Sequence, residues 1–163
     1  MTEAAAQTPT ASKQDHAAKR LARLAAVQAL YQIALTERAV KDVIREFCNH
    51  PHSLLEEHLG PGASLDVDRE LFGTIVNGVS DRAAALDEMI LGAMDAKSSA
   101  ERLEILLRAI LRAGIFELHN CPNVSSGVII NDYVDVAHGF FNAKEPGLVN
   151  AVLDRLAKTL RTK

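Results

Sequence analysis

Three cations stand close together near the start of the chain. Lys19, Arg20 and Arg23 open the stretch 19–31, which reads KRLARLAAVQALY. On about one and a half helical turns they make a small patch suited to phosphates, since each phosphate a cation neutralises releases a condensed counterion. Behind them the residues are small or apolar, and Leu24, Val27 or Gln28, Tyr31 and Leu35 recur at the three-to-four spacing of a buried helical stripe. The stretch therefore reads as one helix whose body packs into a core while its head stays wet. The same pattern also fits a solvated helix start with ordinary surface cations, because charge runs usually mark solvated faces.

A second cluster is Cys48, His50, His52 and His58, all zinc-ligand types. Their spacing matches no common structural-zinc pattern, and His50-Pro51-His52 reads equally well as a solvated turn, so no metal site is expected. Cys121 beside Pro122 reads as a packing thiol. The glycines at 60 and 62 lack the Gly-Lys-Ser/Thr that would make a phosphate loop. No serine sits in a nucleophile elbow, and the carboxylates are scattered along helix surfaces. The chain is read as a non-enzyme without a cofactor; a metal-dependent enzyme using the Cys48–His58 cluster is the alternative that a metal analysis would settle.

The 163 residues suffice for one domain, or for two small subdomains sharing a core. Apolar residues make up 48% and charged residues 24%, a globular balance, and with aromatics at only 4% the core must be built of Leu, Ala, Val and Ile. Eighteen basic residues face 21 acidic ones, for a net charge of −3, so any nucleic-acid binding must come from a local patch. Two cysteines make no disulfide framework. No apolar run resembles a signal core or a membrane span, and a cytoplasmic protein is expected.

The elements that must position the cations are helical throughout. Residues 1–15, rich in Ala, Thr, Ser and Gln, read as a disordered tail. The first helix is expected over 16–35 and the second over 40–48, with Val40, Val43, Ile44 and Phe47 on one face. Residues 49–65 are irregular and are broken by Gly60-Pro61-Gly62. Asp66 or Asp68 caps a third helix carrying Leu71, Phe72, Ile75, Val76 and Val79. A break is expected at Gly78 to Ser80, before Leu86, Met89, Ile90 and Met94. Ser98 and Glu101 form a capping box ahead of the strongest helical pattern, Leu103 to Leu118. Gly114 inside that helix implies close approach of a neighbour. Ser125 or Ser126 caps the next helix, and Pro146 opens the last. No stretch alternates with period two. The reading is all-α, with about seven helices.

Four blocks carry a resemblance. They are KRLARLAAVQALYQ, AILRAGIFEL (109–118), VIINDYVDVAHGFF (128–141) and LVNAVLDRLAK (148–158). In order and spacing they resemble the arginine-rich A-x-QALY opening, the LR…EL segment, the INE segment and the FVNGVLDKLA segment of the NusB family of bacterial transcription antitermination factors. The likeness covers about residues 16–162. It implies an all-helical domain over 16–163, built of two packed subdomains at about 16–96 and 97–163. It also implies pairing with the small-subunit ribosomal protein NusE, binding of boxA RNA, and assembly into an RNA polymerase antitermination complex on ribosomal RNA operons. Self-association is left open, since members of the family occur both as monomers and as pairs that cover the RNA face.

Carried over by position, Lys19, Arg20 and Arg23 match the basic motif, Gln28 and Tyr31 its QALY part, and Phe140 an aromatic near the end of the sixth helix. Flexible Lys13 adds a further phosphate contact. Asn150 and Glu117 match positions expected to be structural. The chain departs from the pattern at Leu21, where a third Arg is common, at Leu107, at Ser125, and at Gly127 and Gly147, where lysines are common. The missing cations leave room for a second reading, a helical protein-interaction scaffold with weak or lost RNA binding. A third, the RNA-docking module of a ribosomal RNA methyltransferase, would need a catalytic domain downstream, and one is not expected here.

Overall fold

A computed structural model describes residues 9–50, 66–94, 103–142 and 144–161. Among these residues there are seven α-helices and no strand: α1 (Pro9–Thr36), α2 (Val40–Asn49), α3 (Arg69–Asp81), α4 (Ala83–Ala93), α5 (Ile105–Asn120), α6 (Ser126–Phe140) and α7 (Glu145–Leu160). The expected all-helical class is what is observed. The capping box at Ser98, the Gly60-Pro61-Gly62 break, His52 and His58 lie outside the described residues.

The strongest apolar pattern became the centre. Helix α5 packs against α1, α3, α4, α6 and α7, and a run of eleven residues from Leu106 to Leu118, broken only by Arg108 and Arg112, is buried. Gly114 lets α6 and α7 approach: a Cβ there would stand 2.8 Å from Leu153 and 3.4 Å from Tyr133. The break expected at Gly78 to Ser80 falls slightly later: α3 runs on to Asp81, and Arg82 separates it from α4. Gly78 instead makes room for a ring, since a Cβ would lie 2.1 Å from Phe116. Helix α2 closes over α3 through stacked Phe47 and Phe72, with ring centroids 4.0 Å apart.

The caps follow local rules. The Asp68 side chain accepts from Leu71 N at the start of α3, and Ser125 accepts from Val128 N at the start of α6. Pro146 sits in the first turn of α7, where its missing N–H is not needed. At the far end of α7, Arg161 donates to the carbonyls of Leu118, Cys121 and Val124, satisfying acceptors at the end of α5 and in the turn beyond it.

Helix α1 differs from expectation in two ways. It begins at Pro9 rather than His16, so part of the stretch read as a tail, including Lys13, is helical. Its buried face is also rotated. Ala22, Ala25, Ala26, Val27, Ala29 and Leu30 are buried, Leu24 and Tyr31 only half so, and Leu35 is 53% exposed. Alanines let α1 lie close against α3 and α5, and the larger side chains on its flank cannot enter the same seam.

Candidate nucleic-acid interface

The three cations of the α1 head have three different fates. Lys19 is part-exposed and pairs with Asp15 one turn earlier, Nζ to Oδ2 at 3.3 Å. Arg20 is half-exposed; it donates from Nη2 to Asp135 Oδ2 at 3.1 Å, and its Nε lies 3.8 Å from Asp132 Oδ1. Arg23 is buried at 1% exposure. Its guanidinium donates to both oxygens of Glu117, at 2.8 and 2.9 Å, and to Asp132 at 2.7 Å. The expectation that Arg23 grips phosphates is corrected: three of its donors are used inside the fold, and only 1% of the residue is exposed, at the floor of a cleft. Burial works to lower its pKa, but the bonds and charge of Glu117, with Tyr133 and Asp132 behind, raise it overall.

Around Arg23 lies a closed polar network. Tyr133, fully buried, donates its hydroxyl to Glu117 at 2.6 Å. Burial first, then the charge of Glu117, holds the phenol well above its ordinary value. His16 Nε2 stands 3.4 Å from Asp132. The network joins α1, α5 and α6, the three helices that frame the head. Glu117 is structural, as expected. Asp132 and Asp135 were missed. Their three-residue spacing in NDYVDVA puts both on one face of α6, the one signal that could have found them. Asn150, expected to tie helix starts together, is instead exposed on α7.

Of the clefts that flank the head of α1 among the described residues, two touch its cations. One, of about 410 Å³, runs between α1 and α6; Ala17, Leu21, Leu24, Val136 and Gly139 line it, with Arg20, Asp132 and Asp135 at the polar side. The other, of about 260 Å³, opens toward α3 and α5 beside Lys19, Glu70, Leu71, Thr74, Cys121 and Val124. Burial and the Glu117 charge push the Cys121 thiol up, which disfavours the reactive thiolate.

The remaining expected contacts are dispersed. Lys13 is exposed on the first turns of α1. Gln28 is half-buried on the same helix, and its Oε1 is buried without a hydrogen-bond partner among the described residues. Tyr31 and Phe140 pack partly buried against the core; Phe140 follows Gly139, at the end of the first cleft. Lys13 and Arg20, seven residues apart, thus share one face of the α1 head and Lys19 flanks the other cleft, whereas Gln28 and Tyr31 belong to the body. Among the described residues no three His, Cys, Asp or Glu side chains are grouped to hold a metal, and no helix is long and apolar enough to cross a membrane.

The sequence model of the NusB family matches residues 20–158. This chain belongs to the NusB family. Two relatives are similar over nearly their whole length, both transcription antitermination proteins NusB. That of Bartonella quintana (strain Toulouse) is 44% identical over 140 residues, 86% of this chain and 88% of its own. That of Brucella anthropi is 44% identical over 154 residues, 94% and 90%. NusB of T. maritima superposes with a TM-score of 0.65 at 25% identity, over 85% of this chain and 89% of that one. A structure of the antitermination factors NusB and NusE in complex with double-stranded RNA superposes with a TM-score of 0.67, over 86% of this chain and 96% of that one. At 23% identity this second likeness establishes the shared NusB fold. The family is one of antitermination proteins and not of enzymes.

Proposed function

We propose that this NusB-family protein binds boxA-type RNA together with NusE and so supports antitermination by RNA polymerase on ribosomal RNA operons. The observation that carries the reading is family membership across residues 20–158, which includes Arg20 and Arg23 of the α1 head. A structure that shares its fold holds both NusE and RNA. In this chain the phosphate contacts fall to Lys13 and Arg20, on one face of α1, and to Lys19 beside the neighbouring cleft. Gln28, Tyr31 and Phe140 act from the edge of that surface, and Arg23 shapes it from within.

The test is a titration of boxA-type RNA in the presence of NusE across a range of salt. Replacing Lys13, Lys19 and Arg20 by Ala weakens binding and flattens the salt dependence by about 0.7 of a log unit per lost contact on a single strand, or about 0.9 on a duplex. Unchanged affinity and slope overturn the assignment. A second reading, a scaffold with weak RNA binding, is favoured by the count of charges at the head. Arg20 and Arg23 face Glu117, Asp132 and Asp135, two cations against three carboxylates. Weak or absent RNA binding by the unaltered chain, with NusE binding intact, selects that scaffold.

A further inference from the structure

Arg20 is a half-exposed cation of the α1 head that leans toward another helix, and the group it leans on is an acid. Asp135 takes a single Arg20 donor at 3.1 Å, and both side chains are about half-exposed, at 52% and 43%. Asp132 stands further from Arg20, at 3.8 Å, and cannot move toward it, because it is buried and bound to Arg23 at 2.7 Å. Arg20 therefore has one buried, distant carboxylate and one near, half-exposed carboxylate. A guanidinium presents five donors in a plane and meets a phosphate best with two in parallel. The donor that Asp135 occupies is Nη2.

We propose that Asp135 is an intramolecular competitor for Arg20: it occupies the place of an RNA phosphate and must let go before the guanidinium can grip one. The inference rests on the proposed RNA-binding reading. A half-exposed ion pair is weak, so the release is cheap and the carboxylate tunes affinity without abolishing it. It acts selectively as well, since ligands unable to offer two acceptors to Arg20 gain too little to displace it. The exposed pair would also loosen with salt, as phosphate contacts do, so the competitor blunts the salt dependence of binding.

The experiment measures boxA-type RNA affinity of the full chain with NusE, for Asp135→Asn, Arg20→Ala, the double variant, and Asp154→Asn. Asp154 is an acid on α7 paired with Lys158, and its variant reports the general effect of removing one negative charge. Asp135→Asn is expected to tighten binding about three- to ten-fold, more than Asp154→Asn does. In the Arg20→Ala background the same change should give no more than the Asp154→Asn effect. If Asp135→Asn weakens binding, Asp135 positions Arg20 rather than competing for it, and the proposal is overturned. If Asp135→Asn matches Asp154→Asn while Arg20→Ala still weakens binding, the proposal alone fails. If Arg20→Ala has no effect, the RNA-binding reading fails at this residue and takes the proposal with it. Unfolding midpoints of each variant exclude loss of fold as the cause.

Discussion

Arg23 on α1 meets Glu117 on α5 fork to fork, Nε to Oε2 at 2.8 Å and Nη2 to Oε1 at 2.9 Å, with neither side chain more than 1% exposed. A third donor reaches Asp132 on α6. Paired in this way, a buried charge is tolerated; unpaired, it is not. Arg23→Met, which keeps the volume and removes the cation, is expected to cost roughly 3–5 kcal/mol of unfolding free energy, because two buried carboxylates lose their partner. Arg23→Lys should recover little, since an ammonium cannot reproduce the fork. Chemical denaturation checks both. Under folding conditions the RNA affinity of either variant should follow its folded fraction.

Tyr133 gives the network a dependence on alkali. Its phenol is held well above the ordinary value of 10.0 in the folded protein, so folding favours the protonated hydroxyl. The stability this contributes is fully present below pH 10 and is lost as pH rises toward the folded value. Tyr133→Phe removes the titrating group and a hydrogen bond to a charged acceptor, costing about 1.5–3 kcal/mol near neutrality. Its stability should then be flatter than that of the parent above pH 10, as read from urea midpoints across an alkaline series.

Gly78 and Gly73 lie in the same helix and should respond in opposite directions. Alanine normally gains about 0.5–1 kcal/mol over glycine in a helix interior. At Gly73 nothing stands within 4 Å of an added Cβ, so Gly73→Ala should stabilise by about that amount. At Gly78 the Cβ would sit 2.1 Å from the Phe116 ring, over which Arg82 lies at 5.8 Å. Gly78→Ala should therefore destabilise by roughly 1–3 kcal/mol, as overpacking does. Thermal unfolding of the two variants side by side decides it.

Glu37 closes α1 with φ at +56°, the left-handed region, and its N–H bonds back to Ile33 O at 3.0 Å. A side chain there costs what glycine would not. Glu37→Gly is expected to raise stability by about 0.5–1 kcal/mol, read as a higher denaturation midpoint with an unchanged slope.

Much of the scaffold was legible in advance. The Leu103–Leu118 pattern, the caps at Asp68 and Ser125, the proline start of α7 and the close approach at Gly114 follow from rules that act within a few residues. The site was legible only in part. Arg23 belongs in register with Val27 and Leu30, four and seven residues on, both buried. Counting it with its neighbours in sequence hid that register. Glu117 sits likewise within the apolar run IFEL. An arginine and a glutamate each set into an apolar stripe imply one another, but no local rule says that positions 94 residues apart will meet. Asp135 was hidden for the same reason, since its partner Arg20 lies 115 residues away. The rotation of α1 turned on alanines, whose burial reflects how closely helices approach rather than their own hydrophobicity.

Helix α1 runs unbroken for 28 residues, and its deepest polar anchor is Arg23. At about 1.5 Å per residue, Lys19 stands roughly 6 Å and Lys13 roughly 15 Å ahead of that anchor along the axis. The leading turns thus behave as a boom braced at its root. A strand crossing the boom at a right angle can touch Lys19 and Arg20 but leaves Lys13 idle. On the proposed RNA-binding reading, only a strand laid lengthwise would engage all three, and the length of a single rod would set its direction.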